Sequence, residues 1–333
     1  MTTLKGVIRS VVAASRRIER DEQRSLKQAT AAYKRQMKLQ EVENNAQQFQ
    51  IYNEYITTIQ SIHKDCSLPV NWNNLLNLPE PIKPSLSNKN EIIAQNKFDN
   101  YKPSFFDKFF NQSFKKRENF QREIIVAKKR DNDEFNSLIN KYSIDLESWQ
   151  ETVNLSKQVL NKEPEAYHIA LQEFAPFSEI SEIGSRLSFS INSDYAVIDL
   201  FVRSTEVIPD YELKLTSTGK LSQKKLPKSR FNEIYQDYVC SSILRIAREM
   251  FALLPIKIVF INAIGDILNT KTGLQEEQSV VSVAIPTTTL SKINFIAIDP
   301  SDSMGNFVFN MKFNKTSGFQ SVERINPENF EII

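Results

Sequence analysis

The uneven distribution of glycine constrains the fold of this chain more than any other feature. Six of its seven glycines lie at Gly184 or later, and the remaining one is Gly6. Because tight turns and strand corners often need glycine, a long stretch without it favours helices joined by few such turns. Proline is also absent from Val7 to Leu68. The sequence therefore predicts a long helical N-terminal part, with sheet structure starting near residue 170.

Residues 1–68 are predicted to form a long basic helical arm or coiled coil. Residues 1–40 contain ten Lys or Arg against three acids. These cations would either follow a nucleic-acid backbone or form a solvated face. Between Phe49 and Ile62 one helix face becomes apolar, so the arm is expected to dock there. The apolar residues near the start suit a membrane surface or a partner groove, and we favour a protein partner such as a second copy.

Residues 69–168 are predicted to be a second helical region. The prolines between Pro69 and Ser87 indicate an irregular connection, and helices are expected over 118–142, over 146–160 and from Pro164. A cluster of phenylalanines recurs at helical spacing between them. It indicates either core packing or aromatic platforms for single-stranded nucleic acid; its members are Phe105, Phe106, Phe109, Phe110 and Phe114.

Residues 169–333 are predicted to form an α/β domain with a mixed sheet. Apolar, strand-like segments rich in Val, Ile and Phe cover 187–191, 196–202, 207–216, 256–261 and 280–285. Between the third and fourth of these lies an amphipathic helix over Lys228–Leu254. A strand, a helix of that length and another strand predict a parallel crossover.

Two of these strands carry charges among apolar residues. Asp199 lies in the second strand, and Glu212 and Lys214 lie in the third. Lys214 is the only lysine of the chain with an acid two residues before it. If the three side chains converge at a strand end, their oxygens suit Mg²⁺ and the ammonium suits a phosphodiester. Alternatively, Glu212 and Lys214 form an exposed pair beside Asp199.

This order of elements resembles the core of the restriction-endonuclease-like superfamily, whose motif is Asp followed by Asp/Glu-x-Lys. The resemblance covers about residues 179–261. It implies that Asp199 and Glu212 bind Mg²⁺ and that Lys214 orients the attacking water, with Glu179 or Glu182 as a further acid. An active nuclease, an inactive version of the same fold and another α/β fold all remain open.

The segment Thr216–Arg230 is predicted to be a basic loop next to this site. From Leu213 to Asn232 the chain has six Lys or Arg and no acid. Lysines and hydroxyl groups suit phosphate oxygens, so the loop is predicted to contact nucleic acid; a solvated loop is the alternative. The predicted phosphate contacts are Lys220, Lys224, Lys225, Lys228 and Arg230.

Composition excludes several other classes. Two cysteines and two histidines are too few for a disulfide scaffold or a Cys/His zinc cluster. The sequence has no phosphate-binding glycine loop and no dinucleotide fingerprint. No apolar run is long enough to span a bilayer, so a cytoplasmic protein is expected.

The leading functional hypothesis is a Mg²⁺-dependent nuclease, or a DNA-directed component with a nuclease fold. By analogy, such a chain would belong to a bacterial anti-phage defence system. The alternative is a non-enzymatic adaptor or scaffold that binds a protein partner through its helical arm. A third hypothesis is a peripheral membrane protein held by its first 20 residues.

Overall fold

The computed structural model describes residues 45–103, 112–177, 186–202, 207–216, 220–269 and 272–330. Two compact units are present. A helical unit spans Asn74–Asn154, and an α/β unit joins residues 45–73 to residues 155–330. The predicted arm over 1–44, the phenylalanines 105–110, and Glu179 and Glu182 lie outside the described residues.

The helices account for most of the N-terminal half of the described chain. They are α1 (Asn45–Gln60), α2 (Trp72–Leu76), α3 (Lys89–Asp99), α4 (Ser113–Leu160), α5 (Pro164–Phe174), α6 (Lys228–Leu253), α7 (Thr287–Leu290) and α8 (Pro300–Ser303). Short 3₁₀ turns lie at Ile62–Lys64, Met304–Asn306 and Pro327–Asn329.

The long helix α4 differs from the sequence prediction. It runs without a break through Tyr142 and Leu146, where two separate helices were predicted. Without a glycine or proline in this stretch, the backbone hydrogen bonds continue through the polar residues between them. The start of α5 at Pro164 is confirmed. The segment after Pro69 is irregular as predicted, apart from the single turn of helix α2.

Eight described strands form two sheets. They are β1 (Arg186–Ile191), β2 (Tyr195–Phe201), β3 (Tyr211–Leu215), β4 (Leu221–Lys225), β5 (Ile258–Asn269), β6 (Leu274–Pro286), β7 (Val308–Asn314) and β8 (Gly318–Gln320). The six-stranded sheet has the order β1-β2-β5-β6-β7-β8, whereas β3 and β4 pair only with each other.

The parallel crossover joins β2 to β5, which are the parallel pair of the large sheet. The prediction that β3 is the strand preceding this crossover in the same sheet is therefore wrong. The segment predicted as a loop after Thr216 contains β4, which pairs with β3 as an antiparallel hairpin. That pairing gives the backbone groups on one side of β3 their partners without the large sheet. Strands β7 and β8 were not predicted.

The two faces of the large sheet are covered by different parts of the chain. Ala196, Ile198 and Leu200 point to one face and are fully buried, and α6 packs against neighbouring β5. On the other face, Phe260 and its neighbours pack against Ile325 and Phe330 near the C-terminus. The sheet is therefore sandwiched between α6 and the C-terminal segment.

Helix α1 packs on α6 and on β3. Its buried face is formed by Tyr52, Tyr55, Ile56 and Ile59, which confirms the docking predicted over Phe49–Ile62. Among the described residues, no helix combines the length and apolar character needed to cross a membrane.

Candidate functional site

Asp199 belongs to a row of polar side chains that crosses three strands of the large sheet. It lies opposite Asn262 of β5, and Asn262 lies opposite Ser282 of β6. The Asn262 amide donates to Asp199 Oδ1 at 2.9 Å, and Ser282 Oγ donates to Asn262 Oδ1 at 2.7 Å. Arg324 Nη1 donates to Asp199 Oδ2 at 3.0 Å. Both carboxylate oxygens of Asp199 thus have a protein partner.

The position of this row follows from strand alternation. Successive side chains of a strand point to opposite faces, so Asp199 shares a face with Val197 and not with Ile198. Val197 packs beneath the C-terminal segment. On the opposite face, a Cβ added to Gly265 would lie 3.0 Å from the hydroxyl of Tyr235 of α6. Asp199 therefore lies on the sheet face that is directed away from α6.

Glu212 and Lys214 lie together on β3. Lys214 Nζ is 2.8 Å from Glu212 Oε1, and the side chains are 60% and 21% exposed, respectively. Tyr211, which points the other way, stacks on Tyr52 of α1 with ring centroids 6.0 Å apart. The Tyr52 hydroxyl also donates to the Tyr211 carbonyl at 3.0 Å. Burial, followed by the charge of Glu212, raises the pKa of Tyr52 to about 12.

The structure thus brings Glu212 and Lys214 together and places Asp199 in the other sheet. The hairpin packs on α1, which packs on α6, whereas Asp199 faces away from α6. Within the described ranges, no group of three or more His, Cys, Asp or Glu side chains is arranged to hold a metal ion. A Mg²⁺ site formed by Asp199 and Glu212 stays a prediction from the sequence.

The predicted phosphate-binding residues lie on the hairpin and at the start of α6. Thr216 Oγ1 accepts from the backbone N–H of Lys220 at 3.0 Å and closes the turn of the hairpin. Lys224 lies directly opposite Glu212 in the β3–β4 register. The set is exposed throughout, and we call it the basic hairpin surface: Lys220, Lys224, Lys225, Lys228 and Arg230.

The start of α6 adds a partial positive charge to this surface. Lys228 is its first residue, Pro227 provides no side-chain cap, and the first turn contains no acid. The free N–H groups of a helix start attract anions. Arg230 is partly neutralised, because its Nη1 lies 3.3 Å from Glu233 Oε2. Hydrogen bonds from Lys315 and then from Arg230 lower the pKa of Glu233 and keep it ionised.

Sequence reasoning missed a buried polar cluster between α6 and the segment that follows α1. Ser241 Oγ accepts from the backbone N–H of His63 at 2.9 Å and lies 2.9 Å from His63 Nδ1. Nε2 of the same ring is buried without a hydrogen-bond partner. Burial, with the charges of Lys64 and Arg248, lowers the pKa of His63 to about 4. The ring is therefore neutral at physiological pH.

An ion pair lies deeper in the same interface. Arg245 Nε is 2.6 Å from Glu249 Oε1, and the two side chains are 5% and 0% exposed. The backbone N–H of Ser67 donates to the same oxygen at 3.0 Å, while Glu249 Oε2 has no partner. Further along, Trp72 Nε1 donates to the Leu253 carbonyl at 2.6 Å. These contacts attach residues 62–73 to α6, so we assign them a structural role.

The sequence offered only one signal for this cluster. Ser241, Ser242, Arg245 and Glu249 lie on α6 among apolar residues, and all are buried. A helix that carries polar residues on its apolar side predicts that another segment satisfies them. It does not say which segment, because the partner lies about 180 residues earlier in the chain, as for His63 and Ser241.

Comparison with known proteins found no match for the chain among protein-family models, curated proteins or solved structures.

Proposed function

We propose that the chain binds nucleic acid and that the basic hairpin surface contacts the phosphate backbone. The observation that supports this most is the separation of the β3–β4 hairpin from the large sheet. Its lysines and the cations at the start of α6 are all exposed, with Lys224 and Lys225 on opposite faces of the hairpin because they are neighbours in β4. Five cations fall between Lys220 and Arg230 without an acid. A loop that is merely solvated would not need five cations without an acid.

The geometry of the hairpin suits a phosphate backbone. A two-stranded ribbon fits the major groove of a duplex, and lysines act as adaptable point charges towards phosphate oxygens. The one large aromatic residue of the described hairpin, Tyr211, is buried against Tyr52. Base stacking on this surface is therefore not part of the proposal. Affinity would come from charge and would fall steeply as salt is raised.

The hairpin is also held firmly, which preserves the spacing of the lysines. Tyr52 and Tyr55 donate to the carbonyls of Tyr211 and Val207, at 3.0 and 2.5 Å. The backbone N–H of Leu226 donates to the Asp210 carbonyl at 2.8 Å and ties the two ends of the hairpin together. A rigid scaffold lowers the ordering cost of binding.

Binding of a fluorescent DNA duplex, followed by anisotropy over a salt series, tests this proposal. Lys220→Ala/Lys224→Ala/Lys225→Ala should weaken binding and flatten the slope of log K against log salt by about 0.9 per lost phosphate contact. Lys292→Ala/Lys312→Ala removes two exposed lysines elsewhere in the α/β unit and should leave binding intact. Equal losses in both variants would instead indicate non-specific attraction.

Metal-dependent cleavage is a second candidate function. It is favoured by the Glu212–Lys214 pair, which lies beside the basic hairpin surface with Glu212 facing Lys224. The nuclease prediction also needs Asp199 as a metal ligand, and the carboxylate of Asp199 already accepts a hydrogen bond from Arg324. In this candidate, a role in DNA restriction or anti-phage defence follows by analogy only.

A nuclease assay separates cleavage from binding. Wild type, Glu212→Gln and Lys214→Ala would be incubated with single- and double-stranded DNA and RNA in Mg²⁺ or Mn²⁺. Cleavage by wild type alone would establish the metal site. Binding that is unaffected by metal, with no cleavage, would favour a non-enzymatic adaptor.

A further inference from the structure

The described part of the helical unit buries few apolar side chains. Within the described part of Asn74–Asn154, the buried apolar side chains are Leu75, Ala94 and Ala127. Among the described residues of this unit, most large apolar side chains are therefore left for a partner surface to cover. Nine large apolar side chains of the unit are 47–83% exposed: Ile82, Leu86, Ile92, Ile93, Phe114, Ile125, Val126, Leu138 and Ile144.

One face of α4 is already occupied within this unit. Asp131 is buried and accepts from the backbone N–H groups of Asn90 and Glu91, at 3.1 and 2.8 Å, where α3 begins. Trp149 Nε1 donates to the Leu78 carbonyl at 2.9 Å. The α3 helix and the residues before it thus cover the side of α4 that carries Asp131 and Trp149.

A second face of α4 is exposed. Val126 and Ile144 are 49% and 59% exposed, and their separation corresponds to about five helical turns at 3.6 residues per turn. They therefore lie on the same face, which is turned away from Asp131 by about 140° around the helix axis. We call this face the open face of α4. Its exposed charged members include Lys115, Arg122, Lys129, Asp133, Glu147 and Glu151.

Charge is segregated along the open face. Its cations end at Lys129, and its acids begin at Asp133. The whole helix shows the same trend, with seven Lys or Arg against two acids over 113–130 and six acids against one lysine over 131–154. One of the two acids of the first half, Glu118, pairs with Arg122 on the same helix at 2.6 Å, and the half stays basic overall. The first half of α4 is thus electrostatically complementary to its second half.

We propose that the open face of α4 binds the same face of a second copy of this chain in an antiparallel arrangement. Such a pair is two-fold symmetric, so both copies use the same surface. Val126 packs on Ile144 of the second copy, and Arg122 then lies near Glu147 and Glu151 of that copy. A parallel pair would place like charges together, which opposes association.

Charge reversal on the full-length chain tests both the surface and its direction. Asp133→Lys/Glu147→Lys/Glu151→Lys makes the open face basic throughout, and Lys115→Glu/Arg122→Glu/Lys129→Glu makes it acidic throughout. Sedimentation velocity over a concentration series should show a wild-type dimer, with association of each variant alone weakened at least about 100-fold. An equimolar mixture of the two variants should form a heterodimer.

Because all six positions are exposed, the variants should keep the wild-type circular dichroism spectrum, and the mixture shows directly whether both are competent to associate. A wild-type protein that is monomeric at all concentrations would overturn the proposal. A dimer that survives either reversal, or variants that fail to associate with each other, would overturn it equally.

Discussion

The two longest helices of the described chain obtain their stability from different sources. In α6, sixteen of twenty-six residues are buried. In α4, five of forty-eight are buried: Ala127, Asp131, Ser148, Ser156 and Val159. Since isolated helices are marginal in water, α6 is stabilised by packing against the sheet and α1, whereas α4 depends more on its own backbone and on partners. Regular secondary structure alone therefore does not indicate a core.

The largest difference should appear when the buried ion pair of α6 is broken. Glu249→Ala removes the carboxylate beside Arg245 and should lower the free energy of unfolding by about 3–5 kcal/mol, because a buried charge loses its partner. Urea denaturation measures this. Arg245→Leu/Glu249→Leu removes both charges and should recover most of the loss. A double variant as unstable as Glu249→Ala would show that packing, rather than charge, is responsible.

A matched pair of leucines compares the two helices directly. Leu244 of α6 is fully buried, whereas Leu138 of α4 is 50% exposed. Leu244→Ala should cost about 2–5 kcal/mol of unfolding free energy through cavity formation, and Leu138→Ala less than about 0.5 kcal/mol. The same urea titration measures both. Similar losses at the two positions would contradict the contrast between the helices.

Acid should weaken the α/β unit through His63. Its pKa is about 4 in the folded chain, against an ordinary value of 6.5, so the unfolded chain binds the proton first as pH falls. The stability contributed by the neutral ring is complete above pH 6.5 and is lost towards pH 4, by roughly 3 kcal/mol. His63→Asn keeps an acceptor near Ser241 without titrating, and its stability, measured by urea denaturation at several pH values, should depend less on pH over this range.

Modest effects are expected at the two tryptophans, one in each unit. Each indole N–H donates to a backbone carbonyl, from Trp72 to Leu253 and from Trp149 to Leu78. Trp72→Phe and Trp149→Phe should each lose about 0.5–1.5 kcal/mol, with the larger loss at the more buried Trp72. Each variant leaves one tryptophan, so its fluorescence follows one unit. If the fluorescence of Trp149 does not change at a lower denaturant concentration than that of Trp72, the helical unit is not less stable than the α/β unit.

Local patterns in the sequence predicted much of the fold. The run from Phe49 to Ile62, the strands around Ala196 and Val280, and the apolar face after Lys228 all became elements of the expected type. Each carries its signal within one helix or strand, in the period of its apolar residues. Strand β4 carries no such signal, because Leu221–Lys225 is mostly polar and is defined by its pairing with β3.

The candidate site was harder to predict because it depends on which strands become neighbours. Glu212 and Lys214 are two residues apart on one strand, so their proximity follows from strand geometry. The position of Asp199 relative to them depends on whether β3 joins the large sheet, and the sequence does not encode this locally. The pairing of Asp199 with Arg324 joins residues 125 positions apart, which no spacing rule predicts.

The attachment of residues 62–73 to α6 also bears on the order in which the chain is made and folds. His63 and Ser241 are separated by 178 residues, and Ser67 and Glu249 by 182. At about 5–20 residues per second, the ribosome needs roughly 10–40 s after it has made residues 62–73 to synthesise their partners on α6. The apolar face of α1 is therefore without its partner in the nascent chain until α6 has been synthesised. Burial of this interface must be a late, non-local step of folding.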